Sequence, residues 1–256
     1  VTTSASYNSA QISLTSSRSP NDAPSQDSGP GALPSNWVVT RITGDLLTVN
    51  HVHQYSFLTD HDRADIGFHT VKTFVDLGDN HLVNLTNILE IGFGYDLVII
   101  GGNMISINQI EQINVLLDSD VISLDGIPQT SVSAGDNLVF NGASISITGI
   151  DRYHGMKAPF AKAADQLARG EDIDKDTAHD SIFEGTDILR VRYISGDATT
   201  INLVQQTNIL GDSDQVHLAH DAMSQSLSGQ VALTSGSNAA INLASIAQFG
   251  VDSDVL

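Results

Sequence analysis

The sequence predicts a mainly β fold whose body, residues 38–256, is a β-solenoid, a parallel β-helix-like stack of strand-and-turn repeats interrupted by one helical insertion. Three observations predict it: an imperfect frame that recurs six times, a period-two alternation inside the copies, and Gly, Asn, Asp and Ser at fixed places where extended chain must turn. The competing architecture is a β-sandwich, in which the same Gly-Asp and Asp-Ser-Asp pieces are only turns between ordinary strands.

The frame reads Gly, a short polar residue, three spacers, an apolar residue and Asn. It occurs from Gly44-Asp45 to Val49-Asn50, from Gly78-Asp79 to Val83-Asn84, from Gly102-Asn103 to Ile107-Asn108, from Gly135-Asp136 to Phe140-Asn141, from Gly196-Asp197 to Ile201-Asn202 and from Gly236-Ser237 to Ile241-Asn242. Ten residues past each Asn stand Asp60, Gly94, Asp118, Asp151, Asp212 and Asp252, and two further on Asp62, Asp96, Asp120, Tyr153, Asp214 and Asp254. Successive copies begin 34, 24, 33, 61 and 40 residues apart. A fixed core is therefore joined by loops of variable length, as insertions between stacked repeats allow.

Alternation shows what the core is. Every second residue gives Asn202, Val204, Gln206, Asn208, Leu210 and Asp212 in one copy, Asn108, Ile110, Gln112, Asn114, Leu116 and Asp118 in another, and Asn50, Val52, Gln54, Ser56, Leu58 and Asp60 in a third. In extended chain these residues share a face. Stacked copies would set Asn on Asn and Gln on Gln at the strand spacing of about 4.8 Å, so that amide ladders form along the stack. That explains polar residues recurring on a face that also carries Val, Ile and Leu.

The remaining segments follow from composition. Residues 1–36, rich in Ser, Thr, Asn, Pro and Gly, read as a flexible or strand-donating arm, in which 7–14 alternates around Ile12 and Leu14 and can add to a sheet edge. Residues 37–151 hold four copies, 152–190 a helical and acidic insertion, and 191–256 two copies with an incomplete end. Within the insertion, Phe160, Ala163, Ala164 and Leu167 recur at helical spacing, with Pro159 at the start and Gly170 as a stop, so a helix is expected over 158–168. Asp174, Asp176, Asp180 and Asp187 mark a solvated loop or short second helix beyond it. The last Asp-Ser-Asp lacks the apolar strand that follows earlier copies, which predicts a continuing chain or a neighbour that caps it.

Charge narrows function. With 30 acidic and 11 basic residues the formal net charge is −19, which repels nucleic-acid phosphates and anionic membranes and attracts cations. No cysteine is present, no run of about 18 apolar residues could insert in a membrane, and residues 1–20 lack signal-peptide character, which leaves a removed leader or an export route that needs none there. There is no nucleophile elbow, phosphate loop or dinucleotide fingerprint. Repeating aspartates argue for architecture, because a catalytic carboxylate pair is singular. No enzymatic activity is expected.

Aspartates two apart on a strand point to one side, and stacking would bring such pairs together, calling for a cation or for protonation. Asp60, Asp62, Asp96, Asp118, Asp120, Asp212, Asp214, Asp252 and Asp254 are accordingly candidate ligands for calcium, a hard cation that takes six to eight oxygens. The alternative role for each pair is to cap turns by accepting backbone N–H bonds. His51 and His53 share a strand face, but no carboxylate at a supporting spacing completes a zinc or iron site.

The acidic, cysteine-free, Asp-x-Asp-punctuated repeats, together with Gly92-Phe93-Gly94-Tyr95-Asp96-Leu97-Val98, half of a glycine-rich calcium nonapeptide, resemble bacterial type I-secreted surface and matrix repeat proteins. The Asn/Gln alternation is similar in construction to curlin-type repeats, whose amides line a β-solenoid and whose subunits polymerise into extracellular fibres. These resemblances imply a structural subunit of a fibre, surface layer, matrix or adhesin at the cell surface or outside it, forming a homo-oligomer or polymer, with cell-surface polysaccharide a candidate partner. The alternatives are a β-helical protein that binds or cleaves carbohydrate, in the manner of a phage tailspike, and a monomeric sandwich-type binding module.

Overall fold

A computed structural model describes residues 5–16, 32–61, 63–68, 72–76, 80–91, 95–125, 130–133, 137–149, 151–153, 156–213, 215–220, 230–234, 238–249 and 253–255. At 67% strand and 11% helix the chain is mainly β. Every strand pairing among the described residues is parallel.

After a first strand, β1 (Ala5–Ser16), one succession of strands occurs three times. The first row is β2 (Asn36–Ile42), β3 (Leu46–Asp60), β4 (Arg63–Phe68), β5 (Lys72–Asp76) and β6 (His81–Ile91). The second is β7 (Leu97–Ile100), β8 (Met104–Asp118), β9 (Val121–Asp125), β10 (Thr130–Ser133), β11 (Leu138–Gly149) and β12 (Asp151–Tyr153). The third is β13 (Ile188–Ile194), β14 (Ala198–Asp212), β15 (Gln215–His220), β16 (Gln230–Thr234), β17 (Ala239–Phe249) and β18 (Ser253–Val255). Equivalent strands pair across rows, but not in chain order. The sheets run β2-β13-β7, β3-β14-β8, β4-β15-β9 and β5-β16-β10, so the third row lies between the first and second.

The frame explains the register. Asn50, Asn202 and Asn108 are aligned in β3-β14-β8, and Asn84, Asn242 and Asn141 in β6-β17-β11, where β1 adds Asn8 as a fourth strand. The six copies thus alternate between two long sheets that face one another. Each strand of one sheet sits against two of the other: β3 on β6 and β17, β14 on β17 and β11, and β8 on β11 and β1. The alternating set of Val204, Gln206, Asn208, Leu210 and Asp212 is buried between them.

Amides fill this core because they can be satisfied there. Asn84 donates to Asn242, Asn242 to Asn141 and Asn141 to Asn8, each from Nδ2 to Oδ1 at 2.8–3.2 Å. Gln112 donates to Gln206 and Gln206 to Gln54. The two sheets are also stitched to each other: Asn208 donates to Asn141 Oδ1 at 2.8 Å and to the Phe140 carbonyl at 2.9 Å, and accepts from Asn242 at 2.7 Å. Flanking apolar layers, with Val52, Val204, Ala143, Ala244, Ile145 and Ile246 on one side and Leu210, Val139 and Ala240 on the other, keep water from competing for these bonds.

The helical insertion lies over β2-β13-β7. Helix α1 (Ala158–Ala168) begins with Pro in its first turn and ends before Gly170 at φ +83°, a left-handed position that glycine adopts without steric cost. Its Phe160, Ala163 and Leu167 join Ile173, Phe183, Leu189, Val191 and Tyr193 in a separate apolar core against Trp37 and Val39. In the acidic stretch, Asp174 caps a short α2 (Lys175–Ala178) and pairs with Lys162, while Asp180 caps the turn at Ser181–Phe183 and pairs with Lys157 at 2.9 Å. These two aspartates start helical turns by accepting backbone N–H bonds, and the expected short second helix is present. Strands β12 and β13 flank the insertion, so residues 152–153 and 188–190 are extended.

Removing one buried amide strands its neighbours, and each unsatisfied buried group costs about 1–3 kcal/mol. Asn208→Ala is expected to lower unfolding free energy in a denaturant titration by about 2–4 kcal/mol. Asn87→Ala, on the exposed face of β6, should change it by less than about 0.5 kcal/mol; equal losses would show that the ladder adds nothing.

Candidate metal centre

Two kinds of corner flank β3, β14 and β8. At the entry, Gly44, Gly196 and Gly102 stack so closely that their backbones bond directly, the Gly196 N–H to the Gly44 carbonyl and the Gly102 N–H to the Gly196 carbonyl, both at 3.0 Å. A Cβ on Gly196 would lie 2.8 Å from the Gly44 carbonyl carbon, and one on Gly102 2.8 Å from that of Gly196, so glycine is required. The polar residue after it forms a ladder of its own. Asp45 Oδ1 accepts the Asp197 N–H at 2.8 Å, and Asp197 Oδ1 accepts the Asn103 N–H at 2.6 Å.

At the exit, register aligns Asp60, Asp212 and Asp118 as a carboxylate column. Facing it, Asn80 donates to Asp60 and Asn137 to Asp212, each at 2.8 Å. The chain then turns through stacked serines, with the Ser119 N–H on the Asp212 carbonyl at 3.0 Å and the Ser213 N–H on that of Asp60 at 3.1 Å. This turn folds Asp120 back toward the column. One carboxylate oxygen each of Asp118, Asp120 and Asp212 lies within 4.8 Å of the other two. Oxygens that share a calcium ion at 2.3–2.6 Å stand at most about 5 Å apart, so the spacing suits one hard cation with solvent completing the shell. Asp212 is buried, Asp120 half-buried and Asp118 exposed, which leaves a route from solvent.

Of the other candidate ligands, Asp60 belongs to the column one strand beyond Asp212. Asp62, Asp214 and Asp252 lie outside the described residues, as does the side chain of Asp254. Asp96 stands apart, at the entry side of β7, where both its oxygens are held by the Arg190 guanidinium at 3.0–3.1 Å and one accepts the Arg190 N–H at 2.7 Å. A guanidinium is its partner. His51 and His53 are stacked on the outer face of β3 with ring centroids 6.1 Å apart, and His51 bonds Gln205 at 3.0 Å.

Beside the triad an open groove runs along the outer face, lined by Phe57, Ile209, Gly211 and Leu117 with Asp118 and Asp212 at its end. Gly211 makes it, because its register partners Thr59 and Leu117 carry side chains where it has none. The supporting role of Asn80 and Asn137 was missing from the candidate list. A signal was present, since Asn occupies the third frame position at 80, 137 and 238, where the copies of the facing sheet have Leu46, Met104 and Ala198.

No family model matches the chain, and no curated protein or solved structure shows significant similarity to it. Among the described residues, no helix is long and apolar enough to cross a membrane.

The Arg190 guanidinium holds the Asp96 carboxyl below the usual carboxylate range, chiefly through its side-chain hydrogen bonds. A group whose folded value lies below its unfolded value of about 4 stabilises the fold fully above that value, and the contribution fades as pH falls through the folded one. Denaturant titrations from about pH 6 to pH 3 should therefore show a smaller acid loss for Asp96→Asn than for the parent chain; superimposable pH profiles would refute the pairing as a source of stability.

Proposed function

We propose that the chain is a structural subunit of an extracellular bacterial assembly, a fibre, surface layer, matrix or adhesin, and that its three rows are coils of a β-solenoid. The observation that carries this reading is the state of the ends of the stack. Its sheets are not closed into barrels, and the terminal strands are long: β3 with 15 and β6 with 11 residues at one end, β8 with 15 and β1 with 12 at the other. Proteins that remain monomeric shorten, bulge or charge such edges. Here the edges carry interrupted ladders of Asn, Gln and Asp whose polarity is repeated from row to row.

The outer face of the β3-β14-β8 sheet adds a second adhesive feature. Leu47, Val49, Tyr55 and Phe57 on β3 and Ile105, Ile107, Ile113 and Leu117 on β8 are all exposed. They form two exposed apolar patches on either side of the polar row of His51, Gln205 and Glu111, and exposed apolar patches mark interaction surfaces. Calcium at Asp118, Asp120 and Asp212 would neutralise the carboxylate corner and tie adjacent rows together. The net charge of −19 keeps subunits apart in solution and makes their association dependent on cations and salt.

Purified protein is expected to form ordered filaments or sheets in negative-stain electron microscopy with calcium, and discrete monodisperse particles with and without calcium would refute the assembly. The groove at Phe57 and Leu117, which ends on carboxylates, favours carbohydrate binding as the reading that would then replace it. For the metal, saturating calcium at about 100 times its dissociation constant contributes about 2.7 kcal/mol, which should raise Tm by about 5–10 °C. Asp118→Asn/Asp212→Asn should erase that shift; an unchanged shift would place any calcium elsewhere.

A further inference from the structure

The two long sheets have unequal strand numbers, four in β1-β11-β17-β6 and three in β3-β14-β8, and their strands interleave. From one end to the other the order is β6, β3, β17, β14, β11, β8, β1, alternating strictly between sheets. Suppose a second copy joins head to tail at the β1 end. The next place in the alternation belongs to the sheet of β8, but the second copy leads with its own β6, which belongs to the sheet of β1. With β1 present, one strand position in the joined stack would stay empty. Without β1, the order β11, β8, then β6 and β3 of the second copy alternates without a gap.

We propose that the edge formed by β11 and β8 is a docking surface for the β6 and β3 edge of a second copy of this chain, and that β1 is an exchangeable cap occupying the place of the incoming β6. The proposal rests on the assembly reading and specifies its interface and its control.

Four observations carry it. First, β1 and β6 are equivalent in register through β11 and β17: Asn8 corresponds to Asn84, Ala10 to Thr86 and Ile12 to Ile88. Either strand presents Asn to the amide ladder and Ile to the apolar layer.

Second, β1 fills the place incompletely. Ile12 and Leu14 are 45% and 70% exposed although they face the core side, whereas Ile145 and Ile246 in the column of Ile12 are 0% exposed. β1 brings no strand of the opposite sheet to cover them; an incoming β6 brings β3.

Third, the ladders are polar. Asn84 to Asn242 to Asn141 and Asn50 to Asn202 to Asn108 both run from Nδ2 to Oδ1 toward the β1 end, and Gln112 to Gln206 to Gln54 runs from Nε2 to Oε1 the other way. A head-to-tail contact continues donor onto acceptor, and a head-to-head contact sets like on like. The corner ladder is polar as well, since Asp197 donates its N–H to Asp45 and Asn103 its N–H to Asp197, so that the N–H of an incoming Asp45 would meet Asn103.

Fourth, β1 is joined to the body only through the chain that leads to β2 in the first row, at the opposite end of the stack. Its release leaves the three rows continuous.

The chain has no cysteine, so a disulfide can be placed without competition. Ser13 and Ser146 are register partners on β1 and β11, and directly opposed strand residues fall in the Cα range of about 4.4–6.8 Å that a disulfide needs. In the full chain, Ser13→Cys/Ser146→Cys should assemble like the parent when reduced and at least about tenfold more slowly when oxidised, a difference of about 1.4 kcal/mol or more in effective end availability. Conversely, Ser9→Pro/Ala10→Pro must remove a ladder N–H whichever of the two points at β11, and should speed growth by a similar factor with the thermal transition of the body retained. A synthetic peptide of residues 5–16 added in excess should stop that growth. Oxidised protein that grows as fast as reduced protein would overturn the capping role while leaving the assembly reading intact. Failure of every variant to grow at any concentration would overturn the assembly reading, and this inference with it.

Discussion

The structure depends on a mesh of amides at the centre of the molecule. Asn208, Asn242 and Asn141 bond to one another across two facing sheets and along each sheet at once. An amide has a donor and an acceptor at opposite corners, so in a parallel, in-register stack each copy can give to the row on one side and receive from the row on the other. A single such residue in an apolar core would be a liability. A column of them is self-satisfying, and a slip of one residue would place Asn against Val or Leu along the whole column. The mesh therefore supplies specificity of register, which the apolar layers beside it could not supply alone.

The corners apply the same logic to the backbone. Stacking at strand spacing leaves no room for a side chain at Gly196 and Gly102, while Gly44 bends at a φ of +95° that suits glycine, and it leaves N–H groups facing the neighbouring row, hence the aspartates that accept them. At the other corner the stacked residues are carboxylates, and the geometry that serves amides so well brings like charges together. Asparagines 80 and 137 offset part of this from the facing sheet. The remaining charge at Asp118, Asp120 and Asp212 is what gives that corner its capacity for a cation.

Much of this was legible from period and frame. The alternating face from Asn202 to Asp212 is the buried face, the copies align like with like, and 158–168 is the helix, because these features follow from local spacing. Which copies share a sheet was less visible, although the third frame position separates Asn80, Asn137 and Asn238 from Leu46, Met104 and Ala198. Strand β1 was readable as an edge strand from its alternation but not as a further copy, since Tyr7-Asn8 lacks the glycine corner. The bringing together of Asp120 with Asp212 depends on a turn and a neighbouring row, and Asp96 on an arginine 94 residues away; neither is encoded in local pattern. The row order was not legible at all, because the shared frame makes the rows nearly interchangeable.

That row order bears on how the chain becomes a folded object. The strands at the centre of both long sheets, β14 and β17, come last in the chain, and they pair with partners 94 to 158 residues earlier. Rows one and two share no ladder with each other in these sheets and meet only through the third, apart from the contacts that cross between the facing sheets. Contacts of such long range close slowly, since the loop entropy must be met before the pairing returns anything. A polypeptide emerging from its N-terminus would hold two-thirds of its strands in waiting until the segment that joins them arrives. The fold is thereby withheld from a partial chain and is completed only when its last third is present.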